Sequence, residues 1–380
     1  MGAVPIRTAS TVAVAVAVAG WLVCSRSANR TDATAEAMEA RPRTPAGPLG
    51  TPTGIKVIDF HTHWDPQYPE MMLKRMDEAG VAVSMNFSGG TPRALSFSAA
   101  DDKKSNGRLR FFCNIPWSHV DMPDFVGAVV EYLRECKNSG ALGLKISKAL
   151  GLGVPDPVRG GLLAVDDPWL DPIFEEAGRL GLPIAEHVGD PQAFFRPCTP
   201  DNERYEELTL APEWCFADRT QFPAWEDLFA AFVNRVSRHP NTTFVGVHFG
   251  NDPEDPAHVG ELMREHANLW IDTSARIPEI GRHPPDEVRG VLAEFPDRIL
   301  FGTDLQVGPD MLVLGAGPPN VTQADVERFW RSTWRYFETN DLDIPTPTPI
   351  QGRWNVNGIG LSQDALEKLY HGNAERLLGL

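Results

Sequence analysis

The chain has 380 residues, 42% hydrophobic and 23% charged, which is enough apolar material for a sizeable core and excludes wholesale disorder. Lys+Arg number 35 against 51 Asp+Glu, and the net charge of −16 argues against nucleic acid or an anionic membrane surface as the main partner. Length alone suggests two domains, but α/β barrels reach this size as one.

The N-terminus differs from the rest. Behind Arg7, the run Ala9–Val23 reads ASTVAVAVAVAGWLV. It falls short of the ~20 residues that span a bilayer and fits a secretory signal cleaved after Ser27. The alternatives are an uncleaved anchor and a lipoprotein at Cys24, for which Trp21 and Val23 are poor neighbours. Residues 28–53, with Pro42, Pro45, Pro48 and Pro52, read as a flexible tether. The expected organisation is a leader (1–27), a disordered linker (28–53) and one folded domain (54–380). Export would put the protein in the periplasm or outside the cell, meeting a membrane only through an uncleaved leader. In an oxidising compartment Cys198 and Cys215, which share one long loop, are candidates to pair. Cys113, in an apolar run, and Cys136, on a helical face, read as buried thiols.

From Ile55 onward, short apolar or β-branched runs predict eight strands: Ile55–Phe60, Val81–Phe87, Leu109–Ile115, Ala141–Ile146, Pro183–Glu186, Thr243–Val247, Leu269–Asp272 and Arg298–Gly302. Helical patterns lie between most of them. Phe125, Val129, Tyr132, Leu133 and Cys136 share one face. Asp167–Pro168 starts another helix, with Leu170, Ile173, Phe174 and Ala177 as its apolar stripe. Further helices are expected near 69–79, 225–238, 256–267, 285–294, 323–339 and 362–378. This alternation predicts an α/β fold, a (β/α)₈ TIM barrel with long βα loops. The surplus residues fall at 147–166, 188–224 and 305–361, each after a strand, on the face where barrel active sites form. The rival doubly wound sheet would carry a Gly-rich phosphate loop after its first strand; here the chain has His-Thr-His.

The chemistry-bearing residues sit at strand ends. His61 and His63 close strand one, His187 closes strand five, His248 strand six and Asp304 strand eight, while Lys145 lies in strand four. A strand repeats every two residues, so an HxH pair points both imidazoles to one face. A parallel barrel brings all these ends around one axis. Neutral imidazoles with a carboxylate suit a borderline divalent ion, Zn²⁺ foremost, although N/O donors also admit Mn²⁺, Fe²⁺ and Co²⁺. His119, His239, His258, His266, His283 and His371 lie in loops or helices and read as structural. Trp64, directly after HxH, is a candidate pocket wall. Arg276, after strand seven, is a candidate carboxylate fork. Phe194, Phe195 and Arg196 lie in the 188–224 loop, a candidate lid.

The ordered segments VIDFHTHWDP, MDEAGV, ALGLKI, LPIAEHVGDP, FVGVHFGNDP, RILFGTD and LYHGNAERLLGL resemble the amidohydrolase superfamily, in particular the amidohydrolase-related branch that includes aminocarboxymuconate semialdehyde decarboxylase. The resemblance spans about residues 55–380. It implies that His61, His63, His187 and Asp304 hold one metal ion, with Asp304 also acting as general base and His248 polarising the substrate or shuttling a proton. Lys145 occupies the place of a carboxylated lysine in binuclear relatives, so one ion is favoured and two are admitted. Where the family often has Pro two residues after the strand-eight Asp, this chain has Gln306. The expected activity is hydrolysis of an amide, ester or lactone-type bond in a small molecule. Non-oxidative decarboxylation of an aromatic or unsaturated acid is the first alternative, and an inactive binding protein on the same barrel a distant one. A homo-oligomer is compatible with the sequence, which does not specify it.

Overall fold

The computed structural model describes residues 47–189, 191–315 and 321–380. The expected leader and most of the tether lie outside these residues. The end of the tether, expected to be flexible, is instead docked. Leu49 is buried, its N–H donates to the Glu78 carbonyl (3.0 Å), and its carbonyl accepts from Trp334 Nε1 (2.8 Å). Leu49 completes the core at the barrel flank, and buried Thr51 adds a hydrogen bond from Oγ1 to Glu338 Oε1.

Eight consecutive parallel strands form the wall: β1 Val57–Trp64, β2 Val81–Gly90, β3 Leu109–Asn114, β4 Leu144–Ile146, β5 Ile184–Glu186, β6 Phe244–Gly246, β7 Leu269–Asp272 and β8 Ile299–Leu300. Their nearly continuous apolar runs suit strands covered on both faces. Phe60 N donates to the Phe301 carbonyl (2.9 Å) and Asp304 N to the His61 carbonyl (2.7 Å), so the chain leaving β8 runs beside β1 and closes the barrel. An open doubly wound sheet has no such seam.

Two further strands were not expected. β9 Leu305–Gly308 pairs in parallel with Thr62–Trp64, and β10 Met311–Val313 pairs antiparallel with β9. Part of the 305–361 surplus is therefore barrel wall. Gln306 lies in β9 opposite His63 and Val313. A proline there would lack the N–H that a strand position offers, so the departure from the family pattern suits a segment that continues as strand.

Inside the barrel, Ile58, Phe60, Met85, Phe87, Phe112, Ala185, Val245, Val247 and Leu300 form a layered core, with Ala374 and Leu378 of the C-terminal helix packed on it. Phe60, Phe87 and Phe112 contact one another with centroids 4.6–5.5 Å apart. The pairing register of β1 with β2 shifts between Asp59 and Thr62. Such an irregularity re-aims side chains at a barrel rim. It follows two inward residues, Ile58 and Phe60, and lets His61 sit on the same inner aromatic layer, 4.4 Å from the Phe87 ring.

Helices cover the outside much as the periodicity predicts. Phe125, Val129, Leu133 and Cys136 are buried on the helix Phe125–Asn138, and Trp225–Arg238 and Gln323–Glu338 fall within a residue of their expected bounds. Asp167 accepts from Trp169 N, but it caps a single 3₁₀ turn before the α-helix Asp171–Arg179. The expected helix 362–378 is broken by one π-helical turn, Lys368–Gly372, whose Leu369 carbonyl accepts from Phe301 N (3.1 Å).

Cys113 and Cys136 are not free thiols: they form a disulfide joining β3 to the helix Phe125–Asn138, with Cα atoms 5.9 Å apart. Each cysteine sits on an apolar face, and only the packing of that strand on that helix makes them neighbours. Cys198 and Cys215 also pair, closing a segment of the 188–224 loop. Phe194 in that loop is buried, and Phe195 packs on Phe216 (5.3 Å). The loop is a stapled flap whose Phe194, Leu208 and Phe216 join the main core.

Candidate metal centre

The strand ends bring the predicted residues together. His61 Nε2 lies 3.5 Å and His63 Nε2 3.2 Å from Asp304 Oδ1. His61, His63 and Asp304 each offer one ligand atom, all within 4.8 Å of one another. His248 bridges to the next ligand, its ring 4.9 Å from His61 and 4.3 Å from His187. His187 Nε2 is buried and has no hydrogen-bond partner among the described residues. An orphaned buried acceptor is costly, and next to the His248 imidazole it is what a ligand lacking its ion looks like. The donor set fits a divalent cation: His61, His63, His187 and Asp304 would hold it.

The backbone is turned to present these groups. His248 (φ 56°) and Asp304 (φ 58°) take the left-handed conformation immediately beyond their strands. That geometry is uncommon without glycine and costs on the order of 1–3 kcal/mol per residue. Local hydrogen bonds hold it: His248 N donates to Asp272 Oδ1 (2.8 Å), and Asp304 N to the His61 carbonyl.

Asp272 and Ser274, at the end of β7, were not singled out from sequence, and they set the protons of two imidazoles. Asp272 Oδ2 lies 2.8 Å from His61 Nδ1. A carboxylate only accepts, so Nδ1 carries the hydrogen and the Nε2 lone pair points at the ligand cluster. His248 Nδ1 faces the Ser274 carbonyl at 2.9 Å and Ser274 Oγ at 3.0 Å, so it too is protonated at Nδ1, with Nε2 left as an acceptor. Ser274 Oγ donates to Asp272 Oδ1 (2.6 Å). His61, His248 and Asp272 also form a compact group of potential ligands; there the Asp272–His61 bond already uses Nδ1, which makes Asp272 a support. The available signal was that Asp272 closes its strand at the same relative place as the histidines close theirs. His63 Nδ1 meets Ser88 Oγ at 2.6 Å.

Electrostatics favour the neutral form of His61, His187 and His248. Burial first, then Lys148, Lys145 and Arg276, push His187 well below its ordinary pKa, and burial and Arg276 do the same to His248. Burial lowers His61 too, against the opposing pull of Asp272. Neutral imidazole is the ligating form. Burial would raise Asp304, but the hydrogen bond from His63 and the charge of Arg276 hold it below its usual value.

The other predicted residues divide. Arg276 is buried, donates to the Ala275 carbonyl (2.9 Å), and acts electrostatically on His187, His248 and Asp304. Lys145 is buried with Nζ 5.1 Å from the Phe87 ring centroid, beneath the cluster. Trp64 is 3% exposed, packs in the main core with residues such as Val57 and Met72, and has its backbone paired to Asn86; it is not among the inner-layer residues that carry His61. Thr62 and Trp64 alternate with His61 and His63, so a tryptophan at this position faces away from them. Lys148, three residues beyond Lys145, lies 4.0 Å from the Trp214 ring and 5.1 Å from Phe194, tying the flap to the centre.

No curated protein matches the chain. Among solved structures, a 2,6-dihydroxybenzoate decarboxylase from Rhizobium is 17% identical, with 86% of this chain and 99% of that one covered at a TM-score of 0.49. A dihydroxybenzoic acid decarboxylase from Polaromonas, with bound manganese, is 16% identical (86% and 97% covered, TM-score 0.49). A 4-oxalomesaconate hydratase from Rhodopseudomonas palustris is 14% identical (85% and 95%, TM-score 0.47). Likeness at this level carries no reading of the reaction. The sequence model of the Amidohydrolase family matches residues 58–380, nearly all of the folded domain, and the chain belongs to that family.

Proposed function

We propose that the protein is an exported, metal-dependent hydrolase that cleaves an amide, ester or lactone-type bond in a small anionic molecule. One observation carries the reading: His61, His63 and Asp304 gather their ligand atoms within 4.8 Å at the strand ends of a barrel of this family, and His187 Nε2 stands buried and unpartnered next to His248. A divalent ion bound there, Zn²⁺ foremost, supplies Lewis acidity and lowers the pKa of water toward ~7.

The chain's own residues then have assignable tasks. Asp304, held as a carboxylate by the hydrogen bond from His63 and the charge of Arg276, accepts the proton of the attacking water. His248, neutral and protonated at Nδ1, presents Nε2 as a proton acceptor. In that state it cannot donate to an oxyanion, so its role is to receive and return a proton. Lys145, Lys148 and Arg276 set a positive field around His187, which favours a substrate carrying a carboxylate. The same field supports a second reading, decarboxylation of an aromatic or unsaturated acid, because it attracts the group that would leave as CO₂. Two disulfides and the signal-like leader support export to an oxidising compartment.

The test joins metal quantitation to a screen of carboxylate-bearing amides, esters and lactones, with His187→Ala as control. Stoichiometric metal in the wild type, reduced in the variant, and product of water addition are expected. CO₂ release without hydrolysis would establish the lyase instead, and a wild type that recruits no metal would overturn both.

A further inference from the structure

Asp59 is 1% exposed, and no ion pair to it exists among the described residues. A buried carboxyl group without a cation is expensive to leave without hydrogen bonds, so its contacts need a reason. Asp59 Oδ1 accepts from His61 N (3.3 Å) and from Thr303 N (3.0 Å), and Oδ2 accepts from Thr303 Oγ1 (2.6 Å). Thr303 Oγ1 in turn accepts from Leu305 N (3.1 Å). With Asp304 N on the His61 carbonyl, the backbone is gripped on both sides of His61 and on both sides of Asp304.

We infer that Asp59, acting through Thr303, is the positioning residue that locks the two ligand-bearing strand ends together across the barrel seam. β1 and the segment after β8 are far apart in sequence, and each ends in a ligand. Apolar packing alone leaves such ends free to slide by a few tenths of an ångström. A carboxyl group with fixed partners does not, because each of its oxygens has a directional hydrogen bond to Thr303 on the opposite strand end. The left-handed turn at Asp304 lies directly after the gripped residue, so the same contacts sustain it. This rests on the reading of His61 and Asp304 as metal ligands.

The test is metal binding to full-length apoprotein, using Zn²⁺ in competition with a chromophoric chelator and Co²⁺ for its visible absorption spectrum. Asp59→Asn keeps the size and one acceptor but places an NH₂ opposite the Thr303 hydroxyl. It should weaken Zn²⁺ binding roughly 10- to 100-fold, as loss of a supporting contact does, and shift the Co²⁺ bands. Thr303→Val should do the same, and Thr303→Ser should restore wild-type affinity and spectrum; a merely structural role predicts no spectral change and no such rescue. Should Asp59→Asn fail to fold, the Thr303 pair carries the comparison alone. Folded variants with wild-type affinity and spectrum would overturn the positioning role while leaving the metal reading intact. A wild type that binds neither ion would overturn both.

Discussion

Arg235→Met is expected to destabilise the barrel severely, through one contact behind the metal centre. Arg235 Nη1 lies 2.5 Å from Glu186 Oε1, and both side chains are at most 1% exposed. The guanidinium also sits 4.0 Å from the Phe174 ring. Burial raises Glu186 despite Arg235 and Lys145, and lowers Arg235 despite Glu186, so neither charge is fully compensated. Replacing Arg235 by an apolar side chain of similar length strands the Glu186 carboxylate, and breaking a buried pair in this way costs about 3–5 kcal/mol. Lys145, whose charge also reaches Glu186, places the expected value toward the lower end. At the unfolding entropy usual for a domain of this length, the loss corresponds to a fall in Tm of about 4–6 °C. The Glu186→Leu/Arg235→Met double variant removes both charges and should recover most of the loss, because an apolar replacement of a buried pair is near neutral. Calorimetry with excess chelator keeps metal loading out of the comparison. A single variant costing under about 1 kcal/mol, or a double variant no more stable than Arg235→Met, would refute the reasoning.

Four other outcomes are expected. Asp272→Asn removes the acceptor that fixes the His61 proton on Nδ1, so Zn²⁺ affinity should drop ~10- to 100-fold; equal titrations of variant and wild type would reject the tautomer assignment. Denatured, unreduced protein should yield no thiol to Ellman's reagent from Cys113, Cys136, Cys198 or Cys215. Cys198→Ser with Cys215→Ser should cost about 3 kcal/mol for a loop of this size, and a melt unchanged by the pair would contradict it. Glu176 is held down to about 2 from 4.5, chiefly by hydrogen bonds from Arg179 against the effect of burial, with Arg134 adding to it. A carboxylate depressed in the folded state stabilises above its unfolded pKa and loses that contribution as pH falls through the folded one. Glu176→Gln should therefore flatten the decline in Tm between pH 4.5 and 2; parallel declines would exclude the pair as a source of acid sensitivity.

Much of the centre was legible before folding. His61, His63, His187, His248 and Asp304 each fall at the end of an apolar run, and in a parallel barrel that position is shared space. Asp272 was harder to see because its role lies in a bond to His61, on a strand remote in sequence. Asp59 was hidden by alternation: it precedes the register shift in β1, where the period of two stops predicting which way a side chain points. Trp64 was misjudged as a pocket wall for the opposite reason, since adjacency in sequence to HxH means the other face of the strand.

By itself the sequence determined the strand–helix order, the barrel class and the face on which the candidate ligands gather, because these follow from hydrophobic period and from chain direction. Only the tertiary structure decided the seam at β9, the pairing of Cys113 with Cys136, the docking of Leu49, and which imidazole nitrogen carries its proton. Each of these depends on two segments distant along the chain meeting at hydrogen-bond or bond distance, and local periodicity contains no such distance.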